Sequence, residues 1–129
     1  MKIILRAVPI LLTGLLLSHA SYSSSFDKNE LAIKCEAVAN QLYELSQTKP
    51  GDNCASDVEV AGGYMEFAGR VISSGDDKRG FLSLKNAEKE LRKIQNSTNY
   101  CVYFSPLVKP YLDDVIKLES ELGTKPSFK

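Results

Sequence analysis

The stretch KNELAIKCEAVANQLYELSQ, residues 28–47, decides the fold because its apolar residues recur at the spacing of an α-helix. These residues are Leu31, Cys35, Val38, Leu42 and Leu45. Their successive steps of four, three, four and three place all of them on one helical face. The turn-forming cluster TKPGDN at 48–53 ends the pattern. The sequence therefore predicts an amphipathic helix over about 28–47, with an apolar side that must pack against other elements.

A second helix is predicted after this turn. Its start is assigned to the capping-box pattern Ser56-Asp57-Val58-Glu59, which can satisfy exposed amide groups. Its expected inner face consists of Val60 or Ala61, Tyr64, Ala68, Val71 and Ile72. Gly62, Gly63 and Gly69 weaken a helix, since each costs about 1 kcal/mol relative to alanine. We interpret these glycines as positions of tight helix packing within the domain; close approach of another backbone is the alternative.

Two more helices are predicted in the C-terminal half. The third, over about 83–97, is indicated by Leu84, Ala87, Leu91 and Ile94. The segment Tyr100–Phe104 is rich in strand-forming residues but has no partner strand, so an extended, buried connector is expected. Pro110 fits only in the first turn of a helix, which places the last helix at about 110–122. Its inward residues are Tyr111, Val115, Leu118 and Leu122.

Four helices joined by short links predict an all-α, single-domain, four-helix up-down bundle over residues 28–123, followed by a C-terminal tail at 124–129. The N-terminus has a different character. Lys2 and Arg6 precede an apolar run that is too short to span a bilayer, and Ala20 ends a small-residue cleavage motif. We therefore expect a signal peptide over 1–20, a polar leader at 21–27, and export into a bacterial periplasm.

An exported chain with Cys35, Cys54 and Cys101 is expected to form one disulfide bond. In a helical hairpin, Cys54 would lie level with Ser46, roughly 16 Å along the helix from Cys35. A disulfide bond requires Cα atoms within about 7 Å, which disfavours the Cys35–Cys54 pair. Cys54 and Cys101 are expected at the same end of the bundle. The topology thus predicts a Cys54–Cys101 bond and leaves Cys35 as a thiol, more simply a buried apolar residue than a reactive group.

Composition excludes several kinds of chemistry. The only histidine, His19, lies in the predicted signal peptide, so a mature chain would have no histidine for a catalytic triad or a histidine-bearing zinc site. No nucleotide-binding glycine motif is present, and 16 basic residues balance 16 acidic ones, which gives no basic field for nucleic acid. We therefore predict no enzymatic activity, cofactor, metal or nucleic-acid partner. A hydrolase that uses the adjacent pairs Asp76-Asp77 or Asp113-Asp114 remains a minor alternative.

The order of several segments resembles the Rap/Tai immunity proteins, which protect bacteria against the peptidoglycan amidase effectors of type VI secretion systems. The matching segments are Leu31-Ala32-Ile33-Lys34-Cys35, Gly63-Tyr64-Met65 followed by Gly69, and Cys101 before a final helix that ends near Pro126. The resemblance covers most of the predicted mature chain. It implies an inhibitor without enzymatic activity that covers the active site of a cell-wall amidase, commonly as a homodimer.

Such an inhibitor needs a rigid base and a protruding polar loop. The most polar connection between predicted helices is SSGDDKRGF, residues 73–81. The simpler interpretation is an exposed, solvated loop, and the functional interpretation is a loop that recognises a partner. The predicted partner-binding residues are Ser74, Asp76, Asp77, Lys78, Arg79 and Phe81. Residues 49–53 form the second candidate loop. An alternative function is a small periplasmic chaperone that protects against acid stress and exposes apolar surface when its carboxyl groups are protonated.

Overall fold

The computed structural model describes residues 30–125 and confirms the all-α class, with four helices packed in sequence. Helix α1 covers residues 30–47 of the described chain. It is followed by α2 (Ala55–Ser73), α3 (Asp77–Asn96) and α4 (Lys109–Gly123). The predicted signal peptide, the polar leader and residues 126–129 lie outside the described residues.

The core lies between the apolar faces of the four helices. Its fully buried side chains include Leu42 of α1, Met65 of α2, Leu91 of α3 and Val115 of α4. Phe104, from the segment between α3 and α4, is the largest of the buried side chains. Each helix thus contributes one stripe to a shared interior, as the apolar spacing predicts.

Close packing of α1 against α2 depends on two of the three glycines. A Cβ atom at Gly62 would come within 3.0 Å of the Tyr43 ring, and one at Gly69 would meet the Ala32 carbonyl oxygen at 3.0 Å. At Gly63 the nearest such contact is the Tyr43 hydroxyl at 3.8 Å, which is ordinary van der Waals contact. The interpretation as tight packing within the domain is therefore confirmed for Gly62 and Gly69 but not for Gly63.

The start of α2 differs from the prediction, and its inner face contains Ala61 rather than the alternative Val60. The helix begins at Ala55 with Cys54 as its N-cap, so the expected capping box at Ser56 is wrong. Asp52 accepts a hydrogen bond from the Cys54 amide at 2.9 Å and stabilises the turn before the helix. On the inner face, Ala61 is buried, whereas Val60 points outward and is 46% exposed.

The expected extended connector at Tyr100–Phe104 is also wrong, because residues 98–107 form consecutive turns. The amide of Ser105 donates to the Cys101 carbonyl at 2.7 Å, a helical-type contact. The Ser105 hydroxyl donates to the Gln95 carbonyl at 2.7 Å and fastens these turns to α3. Within Tyr100–Phe104, Cys101 and Phe104 are buried, while Tyr100 and Val102 are exposed. Local side-chain bonds and the buried Phe104 outweigh strand propensity here.

The disulfide bond joins Cys54 and Cys101, as predicted, with Cα atoms 5.4 Å apart. It ties the start of α2 to the turns after α3, which the antiparallel arrangement brings to one end of the bundle. Cys35 is a free, buried thiol. Burial raises its pKa to about 12, so the thiolate form is disfavoured at neutral pH.

The contact between α3 and α4 contains two carboxyl groups and two cations. Nζ of Lys85 lies 3.0 Å from Oε1 of the buried Glu119 and 3.3 Å from Oε1 of Glu88. The Arg92 side chain donates to Glu88 at 2.7 Å. Burial raises the pKa of Glu119 to about 7, and its hydrogen bond to Glu88 acts in the same direction. That hydrogen bond and the one from Arg92 lower the pKa of Glu88 to about 2.

Candidate functional site

The connection predicted as a polar loop over 73–81 is a short turn in the structure. Ser73 is the last residue of α2 and Asp77 the first residue of α3, so only residues 74–76 join the two helices. Gly75 has a φ angle of 94°, a left-handed conformation that glycine adopts without steric cost. The predicted start of the third helix, near residue 83, is therefore wrong by almost two helical turns.

Local chemistry explains why α3 starts so early. The side chain of Asp76 accepts a hydrogen bond from the Arg79 amide at 3.2 Å and caps the helix. Asp77 places a second acidic residue in the first turn, where the helix dipole favours negative charge. Gly80 allows this turn to pack on Ile72, because a Cβ atom at Gly80 would overlap that side chain. The first turn of α3 is therefore fixed by the Asp76 cap and by the contact of Gly80 with Ile72.

The structure separates the six predicted partner-binding residues into two groups. Ser74, Lys78 and Arg79 are exposed at this end of the bundle and are accessible to a partner. The other three have structural positions: Asp76 is the cap, Asp77 is buried and Phe81 is half-buried against the core. We name the exposed surface formed by Ser74, Gly75, Lys78 and Arg79 the α2–α3 turn.

An apolar groove that the sequence reading missed lies beside the α2–α3 turn. It has a volume of about 590 Å³ and is lined by Val60, Gly63, Tyr64, Phe67, Arg79, Leu82, Ser83 and Asn86. Leu82 is 63% exposed at the rim of this groove. The signal for this groove was Val60, Phe67 and Leu82, apolar residues that stand outside the core stripes of α2 and α3.

Cations stand at both ends of the groove, which we name the α2–α3 groove. At the end near the turn, the Arg79 guanidinium lies over the Phe67 ring, 5.4 Å from its centre, and 3.9 Å from Asp76. At the other end, Lys93 of α3 reaches Asp57 of α2 at 3.8 Å. A hydrogen bond of 2.6 Å from the Ser83 hydroxyl to the Tyr64 carbonyl fixes the register of the two helices between these ends.

The second candidate loop, residues 49–53, lies at the start of α2, a helix length of about 28 Å from the α2–α3 turn. Its Lys49 lies over the ring of Tyr103, 5.1 Å from the centre. The Tyr103 hydroxyl also bonds Thr48 at 3.1 Å. This loop therefore packs against the turns after α3, and the structure does not bring it together with residues 74–81.

The acidic pairs considered for a hydrolase have different surroundings. Asp113 and Asp114 are exposed on α4, and Asp113 forms an ion pair with Lys109 at 3.0 Å. Asp76 and Asp77 stabilise the start of α3, as described above. Within residues 30–125, no group of three or more acidic, cysteine or histidine side chains is placed to hold a metal ion. None of the helices in this described part is both long and apolar enough to span a bilayer.

Comparison with protein-family models, with curated proteins and with solved structures gives no match for this chain. The candidate site is therefore defined by its geometry alone. It combines the exposed α2–α3 turn, held by a cap and a glycine contact, with the adjoining apolar groove. Such a surface offers polar contacts and apolar anchors to a protein partner.

Proposed function

We propose that the protein is a periplasmic binding protein without enzymatic activity, and that it acts as an immunity protein against a peptidoglycan amidase effector of a type VI secretion system. In this proposal, the α2–α3 turn enters or covers the active-site cleft of the amidase. The observation that carries it is the rigid presentation of this turn: three residues join two long helices and leave Ser74, Lys78 and Arg79 exposed.

Rigidity supports this proposal because a binding element that is already ordered loses little conformational entropy on association. Asp76 caps α3, and Gly80 packs on Ile72, so the turn is fixed on the bundle before any partner arrives. The disulfide bond is also consistent with an oxidising compartment outside the cytoplasm.

The charge of the turn indicates what it would bind. Lys78 and Arg79 are adjacent exposed cations, and arginine is among the residue types enriched at interfaces. Phe67 lies beneath its guanidinium and offers an apolar contact at the same place. The turn therefore fits a partner cleft with acidic groups at its rim.

Inhibition of an amidase encoded beside this chain tests the proposal directly. The purified protein is expected to block peptidoglycan cleavage by that amidase, and Lys78→Glu should weaken the inhibition by about tenfold, because it reverses one charge in the contact. Binding is measured by calorimetry and cleavage by release of peptidoglycan fragments.

The matched control is Lys117→Glu, which reverses the charge of another exposed lysine, on α4 and away from the turn. It should leave inhibition unchanged. Equal effects of the two variants, or no inhibition by the native protein, would contradict the proposal. Charge reversal at Asp76 or Asp77 is avoided, since both residues stabilise the start of α3.

The alternative, a chaperone that opens in acid, is less well supported by the contact between α3 and α4. Protonation of Glu119 in mild acid removes a costly buried charge and stabilises this contact. Opening would have to come from other carboxyl groups at lower pH.

A further inference from the structure

The α2–α3 groove leaves apolar side chains uncovered between two helices. Leu82 is 63% and Val60 is 46% exposed, and Tyr64 and Phe67 line the same groove as half-buried side chains. Apolar patches of this kind, bordered by charged residues, are typical of association surfaces. The groove therefore has the character of a binding site, and its walls and border charges indicate what it would bind.

The walls of the groove offer side chains but no main-chain partners. Both walls are α-helices, whose central amide and carbonyl groups are bonded within the helix. The Ser83 hydroxyl is also engaged, since it donates to the Tyr64 carbonyl at 2.6 Å. An extended peptide in the groove would bury main-chain groups without partners, whereas an α-helix satisfies its own. The groove therefore favours a helix as its occupant.

Most charged side chains beside the groove already have partners. Within residues 30–125, Lys78 and Lys89 are the exposed cations of α3 that have no ion pair. The charges that pair with each other are Lys85 with Glu88 and Glu119, Arg92 with Glu88, Lys93 with Asp57 and Glu90, and Arg70 with Glu66. The α3 border of the groove thus keeps two cations available to a partner.

The carboxylates of α2 lie on the other side of that helix. Burial raises the pKa of Tyr43 of α1, and the nearby Glu66 and Glu59 act in the same direction. Both carboxylates are therefore close to α1 rather than to the α3 border. They leave Lys78 and Lys89 without a neutralising group across the groove.

Lys78 and Lys89 lie on one stripe of α3 together with Leu82. Steps of four and seven residues separate the three side chains, so they share a helical face. The two cations stand about 17 Å apart along the helix. One precedes and the other follows the part of α3 that lines the groove, which runs from Arg79 to Asn86. Such cations at the edge of an apolar groove attract carboxylates of a partner.

From these observations we propose that the α2–α3 groove binds an acidic amphipathic α-helix of a protein partner. The apolar face of that helix covers Val60, Phe67 and Leu82, and carboxylates on one flank pair with Lys78 and Lys89. Because these cations are eleven residues apart on α3, the carboxylates are expected about eleven residues apart in the partner helix. The proposal goes beyond the proposed function and does not depend on it, since it applies to any partner with such a helix.

A synthetic peptide with this pattern tests the groove. The probe is an alanine-based helix with four leucines at steps of four, three and four, and with two glutamates eleven residues apart on one flank of the leucine stripe. Fluorescence anisotropy of the labelled peptide measures its binding to the purified, exported protein. We expect saturable binding of one peptide per chain. No binding, or equal binding of a peptide with the same residues in scrambled order, would overturn the proposal.

Substitutions on the protein locate the binding site. Leu82→Asp should weaken peptide binding at least tenfold, because it places a charge beneath the apolar face of the peptide. Ile33→Asp on α1 is the matched control, since Ile33 is also 63% exposed, and it should bind the peptide as the native protein does. Equal effects of the two variants would refute the groove as the site. Circular dichroism checks that both variants are folded.

A charge exchange tests the pairing with Lys89. Lys89→Glu should weaken binding of the acidic peptide about fivefold, since it replaces an attraction by a repulsion. A second peptide, with lysines in place of both glutamates, should bind the Lys89→Glu variant more tightly than the native protein. Lys117→Glu on α4 reverses the charge of another exposed lysine and should change neither affinity. Equal affinities of the two peptides for the native protein would exclude an acidic helix as the occupant.

Lys89 also distinguishes this proposal from the proposed function, because Lys78 belongs to both surfaces. Peptide binding that depends on Leu82 and Lys89, in a protein that inhibits no amidase, would support the groove and remove the proposed function. Inhibition through Lys78 without peptide binding would remove the groove and leave the function. Self-association that is lost in Leu82→Asp, without peptide binding, would make a second copy the occupant and overturn the proposal.

Discussion

Single residues on α2 show how the sequence encodes packing. Gly62, Gly63 and Gly69 look alike as helix-weakening residues, but their surroundings differ. Gly69 touches the backbone of α1, so a side chain there must displace a helix. Gly63 lines the α2–α3 groove, and a Cβ atom there would make only an ordinary van der Waals contact, 3.8 Å from the Tyr43 hydroxyl. The cost of glycine in a helix is therefore offset by packing at one position and not at the other.

We expect Gly69→Ala to lower the free energy of unfolding by about 1–3 kcal/mol, because the new Cβ would lie 3.0 Å from the Ala32 carbonyl oxygen. Gly63→Ala should instead raise it by up to about 1 kcal/mol, through better helix propensity in ordinary contact. Urea unfolding of both variants measures the difference. If both changes had the same sign, the close approach of α1 and α2 would not be the reason for Gly69.

The sequence distinguishes these glycines only in part. Their interpretation as packing positions is right for Gly62 and Gly69, because small residues on an inner face let helices approach. The role of Gly63 depends on where α3 leaves a groove, which the pattern of α2 alone does not determine. Cys35 shows the opposite case: its place on the apolar stripe of α1 already predicts a buried thiol, and the structure confirms it.

At the scale of elements, apolar spacing locates the helices and local polar chemistry sets their ends. All four predicted helices are present, and α4 is within one residue of the expected bounds. The start of α3 is wrong because the charged sequence DDKRG looks like a loop. Its helical state depends on a cap at Asp76 and on the contact of Gly80 with Ile72, and that contact exists only in three dimensions.

The carboxyl pair between α3 and α4 makes stability depend on pH. Glu119 has its pKa raised to about 7, so the folded state binds a proton that the unfolded chain releases near its ordinary value of 4.5. This contribution falls as pH rises through that interval. Glu88, with its pKa lowered to about 2, contributes stability above 4.5 that is lost in stronger acid. The pair alone predicts maximal stability near pH 5.

Glu119→Gln should therefore stabilise the protein at pH 8 by up to about 3 kcal/mol and have little effect at pH 5. The amide of glutamine keeps a donor for Glu88 but has no charge to bury. Thermal unfolding at the two pH values provides the measurement. Glu88→Gln is the control and should destabilise the protein at pH 8, because the ionised group binds Arg92. A Glu119→Gln variant that gains nothing at pH 8 would contradict the raised pKa of Glu119.

For the whole molecule, the topology was predictable because short links leave few possible arrangements of four helices. Short links make neighbouring helices antiparallel, and this order alone selects Cys54–Cys101 among three possible bonds. The binding surface was less predictable. The loop expected to protrude is a short turn. The groove is formed by residues of both α2 and α3, and the apolar spacing within one helix does not determine the register between two helices.

The disulfide bond should contribute about 4 kcal/mol to the free energy of unfolding, since it closes a segment of 47 residues in the unfolded chain. Urea unfolding of the oxidised protein and of Cys54→Ala/Cys101→Ala measures this value. Cys35 is a thiol in both proteins and serves as an internal control. Equal unfolding midpoints would show that the core alone holds the two ends together.

The same bond makes α2, the α2–α3 turn and α3 a covalently closed hairpin. A protease that cuts the exposed Ser74–Gly75 peptide would open the backbone without releasing either half. Both helices would stay tethered through sulfur and remain seated on α1 and α4. Chain scission at this exposed turn would therefore leave the packing of the bundle intact.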